Sequence, residues 1–353
     1  MEEARVKSSL QALAAAALFG VSPPLAKLLL GSVEPIPLAA LLYLGSAAGL
    51  AVLRGRDRAL HRDVAEAGIR RADAPWLIGA AMCGGVAAPI VLMYGLRSTP
   101  AATASLLLNF ESAATALLAA LIFGEAVDRR VWLAVACITG AGIVLTWNGA
   151  SGWGLSLGAA GIIVACLLWG LDNNLTRNIS AKDTTTIAMV KGLVAGSFSL
   201  AIALVLRQPL PDLAGALGAM ALGFFSYGLS IALFIRAMRG LGAAMTGAFF
   251  STAPFIGASL ALILARSWPD PLFWAALPLM LVSSALLLGG SHRHAHAHAP
   301  LTHEHSHAHG DSHHMHTHTE EPPADRPHSH QHRHDPLVHD HAHAPDIHHR
   351  HGH

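Results

Sequence analysis

Apolar runs dominate the first 290 residues, and ten of them are about as long as a helix that crosses a bilayer, roughly 20 residues. Short polar segments separate these runs. The predicted spans are Leu10 to Leu30, Pro35 to Leu53, Pro75 to Leu96, Ala101 to Phe123, Val131 to Trp147, Leu155 to Leu175, Thr185 to Leu206, Leu213 to Ile235, Ala243 to Ala265 and Pro271 to Gly289. The sequence therefore predicts an all-α polytopic membrane protein with ten transmembrane helices.

Lysine and arginine in the loops predict how these spans are oriented, because both residues resist translocation. With the N-terminus in the cytoplasm, the inner segments hold 14 of them, whereas the outer loops hold only Arg97, Arg207 and Arg266. An even number of crossings returns the chain to its starting side. We expect a multi-pass protein of the cell inner membrane whose N- and C-termini are both cytoplasmic.

The two halves of the apolar region repeat each other. A shift of 142 residues places Arg97 on Arg239 and Trp132 on Trp274, and a shift of 150 places Leu18–Gly20 on Leu168–Gly170. Each half holds five spans, and an odd number makes the second half enter the membrane in the opposite direction. Residues 1–150 and 151–290 are therefore predicted to be inverted five-helix repeats, which in secondary transporters rock around a central site.

Two segments resemble a known family. Ala104 to Leu145, with Gly124-Glu125 and a fifth helix rich in small residues, is similar to the fourth and fifth helices of an EamA-type repeat in the drug/metabolite transporter (DMT) superfamily, and Ile162 to Asn174 is similar to the start of the second repeat. The resemblance spans about residues 10 to 290. It implies the fold and a transport function, and it leaves the substrate open.

The chain departs from the family pattern at three places. Glu111-Ser112 stands where the pattern has Glu-Pro, the second half has Ala253-Pro254 there, and Ser267 takes the position equivalent to Glu125. The second half therefore lacks both acids.

Polar residues inside the predicted spans are the candidates for a transport pathway. A charged side chain at the bilayer centre costs at least about 2.5 to 3.5 kcal/mol, so such residues face a cavity, pair with one another or line a pathway. The candidate pathway residues are Glu111, Thr115, Asp172, Asn173, Asn174, Lys191 and Lys27.

Helical spacing places Glu111 and Thr115 on one face and Asn109 about 200° away from Glu111. Glu111 either binds substrate or a proton, or it is a structural carboxylate neutralised by Lys191 or Lys27. Asp172 and the two following asparagines either line the pathway or cap the end of their helix. The alternative for Lys27 is an anchor that extends to the membrane surface.

Residues 291–353 differ sharply from the rest of the chain. They hold 23 of the 24 histidines, eight acids, four arginines and no Phe, Trp or Tyr, so they cannot bury a core and are predicted to be disordered without a ligand. In an extended chain, residues two apart lie on one side, so each H-x-H pair can chelate a cation. The predicted metal ligands are His292, His294, His296, His298, His303, His305, His307, His309, His328, His330, His332 and His334.

Imidazole suits Ni, Zn, Co and Cu without selecting among them, so transition-metal ions are expected on the tail. The alternatives are a pH-sensing polycation, a segment without function and a purification tag. No cofactor is expected to be required.

Composition excludes several other classes. A net charge of +1 and the absence of a basic stripe with aromatic residues argue against nucleic-acid binding. The three cysteines lie in apolar runs without C-x-x-C spacing and are expected to be core thiols. No nucleophile triad, phosphate loop or H-E-x-x-H motif is present, so we do not expect an enzyme.

Three functions remain. The first is a secondary transporter of divalent transition-metal cations, with the tail collecting or delivering ions and Glu111 and Asp172 forming an oxygen-rich relay. The second is a drug/metabolite-type transporter of a small organic solute whose tail only buffers or senses metal. The third is a membrane-anchored metal sensor or store that transports nothing. The expected partners are the lipid bilayer and a small solute or metal cation, with a homodimer as a possible assembly.

Overall fold

The computed structural model describes residues 2–59, 68–124, 129–148, 154–179, 182–241, 246, 249–266 and 268–288, together with four strands of the tail. The helices, in chain order, are α1 Glu2–Gly20, α2 Ser22–Leu29, α3 Pro35–Ala59, α4 Ala74–Ala80, α5 Ala88–Ser98, α6 Ala101–Leu107, α7 Phe110–Leu121, α8 Arg129–Thr146, α9 Leu157–Arg177, α10 Thr184–Val205, α11 Leu213–Gly223, α12 Ser230–Leu241, α13 Ala253–Ala265 and α14 Pro271–Leu288. A 3₁₀ turn, Arg71–Asp73, precedes α4, and a short hairpin joins β1 Trp147–Asn148 to β2 Gly154–Leu155.

Over the residues that the structure describes, the predicted spans coincide with one helix or with two consecutive helices, which confirms the helical membrane fold; the span Ala243 to Ala265 is matched by the helix Ala253–Ala265 alone. Seven helical segments in the described residues are long and apolar enough to cross a membrane. The other three predicted spans correspond to α8, α13 and α14. The number of ten crossings therefore stays a prediction.

Polar N-caps set where three helices of the second half begin. The side chains of Ser156, Asp183 and Asp212 each accept a hydrogen bond from the backbone N–H three residues later. Such a cap satisfies an N–H that has no partner within the helix. The apolar runs are thereby divided into helices at the membrane surface, where these residues can be solvated.

Contacts between helices follow the inverted repeat. Helix α1 packs on α12, and its counterpart α9 packs on α5; likewise α7 packs on α9, as α13 packs on α1. Two further contacts join counterparts directly, α3 with α10 and α8 with α14, and α6 packs on α13, the counterpart of its neighbour α7. Each half therefore uses the other as its packing partner, as expected of two halves related by an axis in the membrane plane.

The irregular backbone also repeats. The π-helical turn Ala81–Ala87 joins α4 to α5, and a second π turn, Phe224–Leu229, joins α11 to α12 at the equivalent position 142 residues later. Likewise, α7 begins at Phe110 and α13 begins at Ala253, one residue from equivalence. Broken helices at membrane depth require protein or water to satisfy their freed backbone groups. These breaks define the centre of the fold.

Small residues allow close helix crossings at that centre. A Cβ added to Gly170 would lie 2.8 Å from the backbone nitrogen of Thr115, and one added to Gly20 would collide with the carbonyl of Ala253. Gly20 and Gly170 are equivalent in the 150-residue register. Glycine lets membrane helices approach at backbone distance, so α1 and α9 lie directly against α13 and α7.

Ion pairs join the two halves at one end of the bundle. Arg54 at the end of α3 pairs with Asp183 before α10 at 2.5 Å, and Asp57 pairs with Arg236 of α12 at 3.2 Å. Burial of Asp183 acts to raise its pKa, but the hydrogen bonds from the Thr186 hydroxyl and amide and the charge of Arg54 outweigh burial and lower it. All these residues belong to loops or ends that the charge distribution assigns to the cytoplasm.

Four short strands of the tail fall within the described residues, and the prediction that the tail is disordered without a ligand stays a prediction. Backbone ladders pair β3 His292–His298 with β6 Leu337–His343, and β4 Leu301–His307 with β5 His328–His334, all antiparallel. The physical reason lies in the sequence, since alternation of histidine with other residues has the two-residue period of a strand. His309 lies outside the described residues, as do Glu125 and Ser267 of the family comparison.

Candidate functional site

Glu111 lies in the first turn of α7, immediately after the break that ends α6 at Leu107. The positive end of the helix dipole favours an anion at this place. The side chain is half-buried, while the neighbouring Ser112 is exposed. Glu111 is thus a carboxylate at membrane depth with access to open space.

Asn173 of α9 connects α9 to this carboxylate. Its Nδ2 atom donates to Glu111 Oε1 at 3.0 Å and lies 3.1 Å from Thr115 Oγ1. The Thr115 hydroxyl in turn donates to the Glu111 backbone carbonyl at 2.9 Å. The prediction that Glu111 and Thr115 act on one face agrees with this geometry, and Asn173 comes from the opposite repeat.

Asn174 holds the same two helices together through the backbone. Its Nδ2 donates to the carbonyl of Thr115 at 3.0 Å and to that of Gly170 at 2.8 Å. Asn174 is 2% exposed. Asn174 therefore forms a contact where α7 and α9 cross, instead of capping the end of α9.

Asp172 forms an ion pair with Lys191 of α10. The Lys191 ammonium donates to both carboxylate oxygens at 2.6 Å, and Thr176 donates to Oδ1 at 2.9 Å. The Asp172 and Lys191 side chains are only 7% and 18% exposed. Lys191 is thus committed to Asp172, and the alternative in which it directly neutralises Glu111 does not match the contacts.

Two aromatic residues that sequence reasoning missed lie behind this ion pair. Tyr43 OH and Trp169 Nε1 both donate to the carbonyl of Gly84, each at 2.9 Å, within the first π turn. A Cβ on Gly84 would overlap the Asp172 carboxylate. The π turn therefore presents a free carbonyl to two donors and brings its backbone against Asp172. The equivalence of Trp169 with Phe19 in the 150-residue register is the signal that could have found one of them.

A cavity of about 130 Å³ opens beside Glu111. It lies between the broken helices, and its lining residues include Phe19, Pro23, Asn109, Glu111, Ser112, Phe250, Ser251, Pro254 and Ser284. Phe19 contacts Phe250 with ring centroids 5.3 Å apart and Tyr227 at 5.9 Å. The lining of the cavity thus combines a carboxylate and small polar groups with aromatic rings.

Asn109 lines the same cavity as Glu111. That its side chain points away from Glu111, as helical spacing predicts, stays a prediction. Asn109 donates to the Leu106 carbonyl at 3.2 Å and is 7% exposed.

Lys27 is not brought to this cluster. Its ammonium donates to the carbonyls of Leu96 at 2.5 Å and Arg97 at 2.8 Å, at the C-terminal end of α5. A cation there interacts favourably with the helix dipole and the last carbonyls. This placement corresponds to the anchoring role rather than to the pathway.

The described residues of the core do not gather a set of metal ligands. No three His, Cys, Asp or Glu side chains in the part of the chain that the structure describes are close enough to hold an ion. Glu111 is accompanied by amide and hydroxyl groups, and Asp172 is engaged by Lys191. The arrangement can bind one positive group at Glu111 and exchange a proton there.

Comparison with known proteins assigns the chain to a family. The model of the EamA-like transporter family matches twice, at residues 6–147 and 156–289, each match covering one repeat. The chain belongs to the EamA-like transporter family. Both the recognition of the family and the two-repeat fold are thereby confirmed.

Relatives of this EamA-family chain agree with the assignment. An uncharacterized transporter of Methanothermobacter thermautotrophicus is 34% identical over 266 residues, covering 70% of this chain and 76% of its own length. A solved crystal structure superimposes with a TM-score of 0.56 at 20% identity, covering 79% of this chain and 94% of that one. The likeness to the solved structure supports the fold alone. The EamA-family chain is a multi-pass membrane transporter of the DMT superfamily.

Proposed function

We propose that this EamA-family transporter moves a small organic solute that carries an ammonium group, and that Glu111 is its anionic anchor. The observation that carries the proposal is the composition of the cavity, whose lining combines one carboxylate with aromatic side chains around about 130 Å³. Aromatic faces and a carboxylate both attract organic cations. Phe19 and Phe250 would contact the ammonium or its apolar substituents, and the hydroxyls of Ser251 and Ser284 would accept N–H donors.

Inverted repeats supply the transport cycle in this proposal. Helices α1 and α13 form one side of the cavity and α7 forms the other, so a rocking motion of one half against the other would change the side from which Glu111 is reached. Asn173 connects Glu111 to the second repeat and can transmit substrate binding to α9. Binding of the ammonium group would favour the state in which the polar and aromatic walls are closest.

Ligand-induced stabilisation tests the proposal directly. The detergent-solubilised chain is heated with butylammonium, butyrate, butanol, leucine or Ni²⁺, and the midpoint of unfolding is measured. A ligand at 100 times its Kd stabilises by about 2.7 kcal/mol. We expect stabilisation by butylammonium or leucine, loss of that effect in Glu111→Gln, and its retention in Ser112→Ala, a change in the same cavity that leaves the charge in place.

The ligands should be transported in the same order as they stabilise the chain. In proteoliposomes, the ligand that stabilises the chain should drive counterflow of its own radiolabelled form, and Glu111→Gln should reduce the rate at least about tenfold while inserting normally, since removing a buried charge does not hinder insertion. Wild-type rates in Glu111→Gln would return Glu111 to a structural role. Stabilisation by butyrate alone would contradict a cationic substrate.

The second candidate is a transporter of divalent transition-metal cations, which the histidines of residues 291–353 favour. In this case Glu111 and Asp172 would supply transient oxygen ligands to the ion as it crosses the membrane, and the tail would collect or deliver the ions. Uptake of radioactive nickel, cobalt or zinc by vesicles that contain the intact chain or a chain ending at residue 290 separates the two functions. Metal uptake that depends on Glu111 in both chains would favour the second candidate over the first.

The orientation is a further part of the proposal. We place both termini in the cytoplasm of a cell with an inner membrane, because the lysine and arginine distribution and the ion pairs of Arg54 and Arg236 agree on the same end. The tail would then meet cytoplasmic metal. A chain that binds metal on the tail and moves no solute would instead be a sensor or store.

A further inference from the structure

The tail brings histidine opposite histidine in both of its ladders. The pairs in β3 and β6 are His292 with His343, His294 with His341, and His296 with His339; those in β4 and β5 are His303 with His332, His305 with His330, and His307 with His328. In the first ladder, Arg293, Ala295 and Ala297 alternate with the histidines. Each ladder therefore pairs histidine with histidine at three alternate positions of its register.

The two ladders share one register. Extending the pairing of β4 and β5 outward across residues 299–300 and 335–336 leads directly to the pairing of β3 and β6. The sequence changes at this same step on both arms, where Ala299-Pro300 and Asp335-Pro336 shift the alternation of histidine by one residue. Because both arms shift together, histidine stays opposite histidine in both ladders. This match is a property of the sequence that is independent of the ladder geometry.

Register determines how many imidazoles can share one ion. Directly opposite residues of an antiparallel pair have Cβ atoms about 4.5–5.5 Å apart, and residues two apart on a strand share a face. Two neighbouring pairs, such as His294 with His341 and His296 with His339, therefore place four histidines together, whereas one strand alone supplies two. A tetrahedral or square site for Zn²⁺, Co²⁺, Ni²⁺ or Cu²⁺ uses up to four such nitrogen ligands.

We propose that the tail is a hairpin closed by metal, in which each borderline divalent cation is shared between the arms 292–307 and 328–343 instead of being chelated locally by one H-x-H pair. Residues 308–327 connect the arms in sequence. Metal supplies the binding free energy that the tail lacks in apolar burial, and binding is coupled to closure. The proposal is independent of the solute that the membrane core carries.

A set of matched double variants in the full-length chain distinguishes shared from local sites. His294→Ala and His341→Ala remove opposite partners, whereas His294→Ala and His330→Ala remove the same number of ligands from different ladders. Zn²⁺ affinity is measured by competition with a chromophoric chelator at pH 7.5. For the opposite pair, the second change should add less than twofold to a loss of about tenfold from the first, because one site is already broken.

For the pair from different ladders, the two losses should instead add. Equal additivity in both double variants would establish local chelation and overturn the proposal, as would the absence of Zn²⁺ binding in the intact chain.

Distance between the arms gives a second measurement. Spin labels at Ala297→Cys and Val338→Cys, in a chain whose three native cysteines are replaced by alanine, are opposite in the first ladder. A flexible segment as long as residues 297 to 338 has an end-to-end distance of about 35 Å. Zn²⁺ should shorten the label distance to within about 20 Å, and EDTA should reverse the change. A distance that stays near 35 Å at saturating Zn²⁺ would refute the hairpin.

Discussion

Lys191→Met should destabilise the membrane core, and combining it with Asp172→Asn should restore most of the loss. In the single variant, the Asp172 carboxylate keeps its hydrogen bond from Thr176 but loses the ammonium that contacts both of its oxygens at 2.6 Å. With only 7% of that side chain exposed, water cannot replace the lost cation. The double variant removes both charges and leaves no ion to be compensated.

The size of the effect follows from the burial of both partners. Breaking a buried ion pair by removing one partner costs about 3–5 kcal/mol, whereas replacing both by neutral groups is often nearly neutral. At about 2–4 °C per kcal/mol for a chain of this order of size, the single variant should unfold on the order of 10 °C earlier. The double variant should lie within a few degrees of the wild type.

Thermal unfolding in detergent measures the midpoints of the wild type, the single variant and the double variant on one scale. After heating, the protein that remains folded is separated by size-exclusion chromatography and quantified by its fluorescence. Arg97→Met is a matched control, because its ion pair with Glu34 is 2.8 Å long but half of the Arg97 side chain is exposed. Exposed pairs contribute about 0–1 kcal/mol, so this variant should shift the midpoint little. A double variant as unstable as Lys191→Met would refute the argument from an isolated buried charge and point to packing by the lysine stem.

Three further predictions concern pH, packing and topology. Asp183→Asn should lower stability at neutral pH and match the wild type in strong acid. Because the pKa of Asp183 is lowered in the folded chain, its stabilising contribution is present above the usual carboxyl pKa of about 3.9 and disappears as pH falls through the lower folded value. Unfolding midpoints measured from pH 7 down to pH 3 and below will test this. Gly84→Ala should separate Asp172 from Lys191, because an added Cβ overlaps the Asp172 carboxylate, and it should destabilise the chain at least as much as Lys191→Met; a smaller destabilisation would contradict it. A reporter enzyme that works only in the cytoplasm should be active when fused after residue 71 or 290 and inactive after residue 152, and the reverse pattern would overturn the orientation.

The positions of the helices could be predicted from sequence because apolar length is a local property. Ten runs of about 20 residues have few alternatives in a bilayer, and the repeat predicted which helices are counterparts. The breaks before Phe110 and Ala253 and the two π turns escaped this reasoning. They depend on which backbone groups neighbouring helices can satisfy, and apolarity does not encode that.

The candidate site could be predicted in part, because its polar residues lie within apolar runs. Glu111, Thr115, Asp172, Asn173 and Lys191 stand out because charges and amides are rare at membrane depth. Their partners could not be assigned, since the pairing of Lys191 with Asp172 depends on the packing of α10 beside α9. Tyr43 and Trp169 gave no polar signal, although the structure places both against the π turn. Lys27 stood out by charge alone, and its position on the carbonyls that end α5 accounts for it.

At the central crossing, the two halves differ in where they carry acidic residues. Glycine contacts and helix breaks recur on both sides, but Glu111 has Ala253 as its counterpart, and Asp172 has Ser22. A symmetric pair of halves would carry two carboxylates of each kind, and this chain carries one. Under the proposed function, a transport cycle that runs through Glu111 would bind one positive charge at this carboxylate at a time, so that a cationic solute and a proton would compete for it.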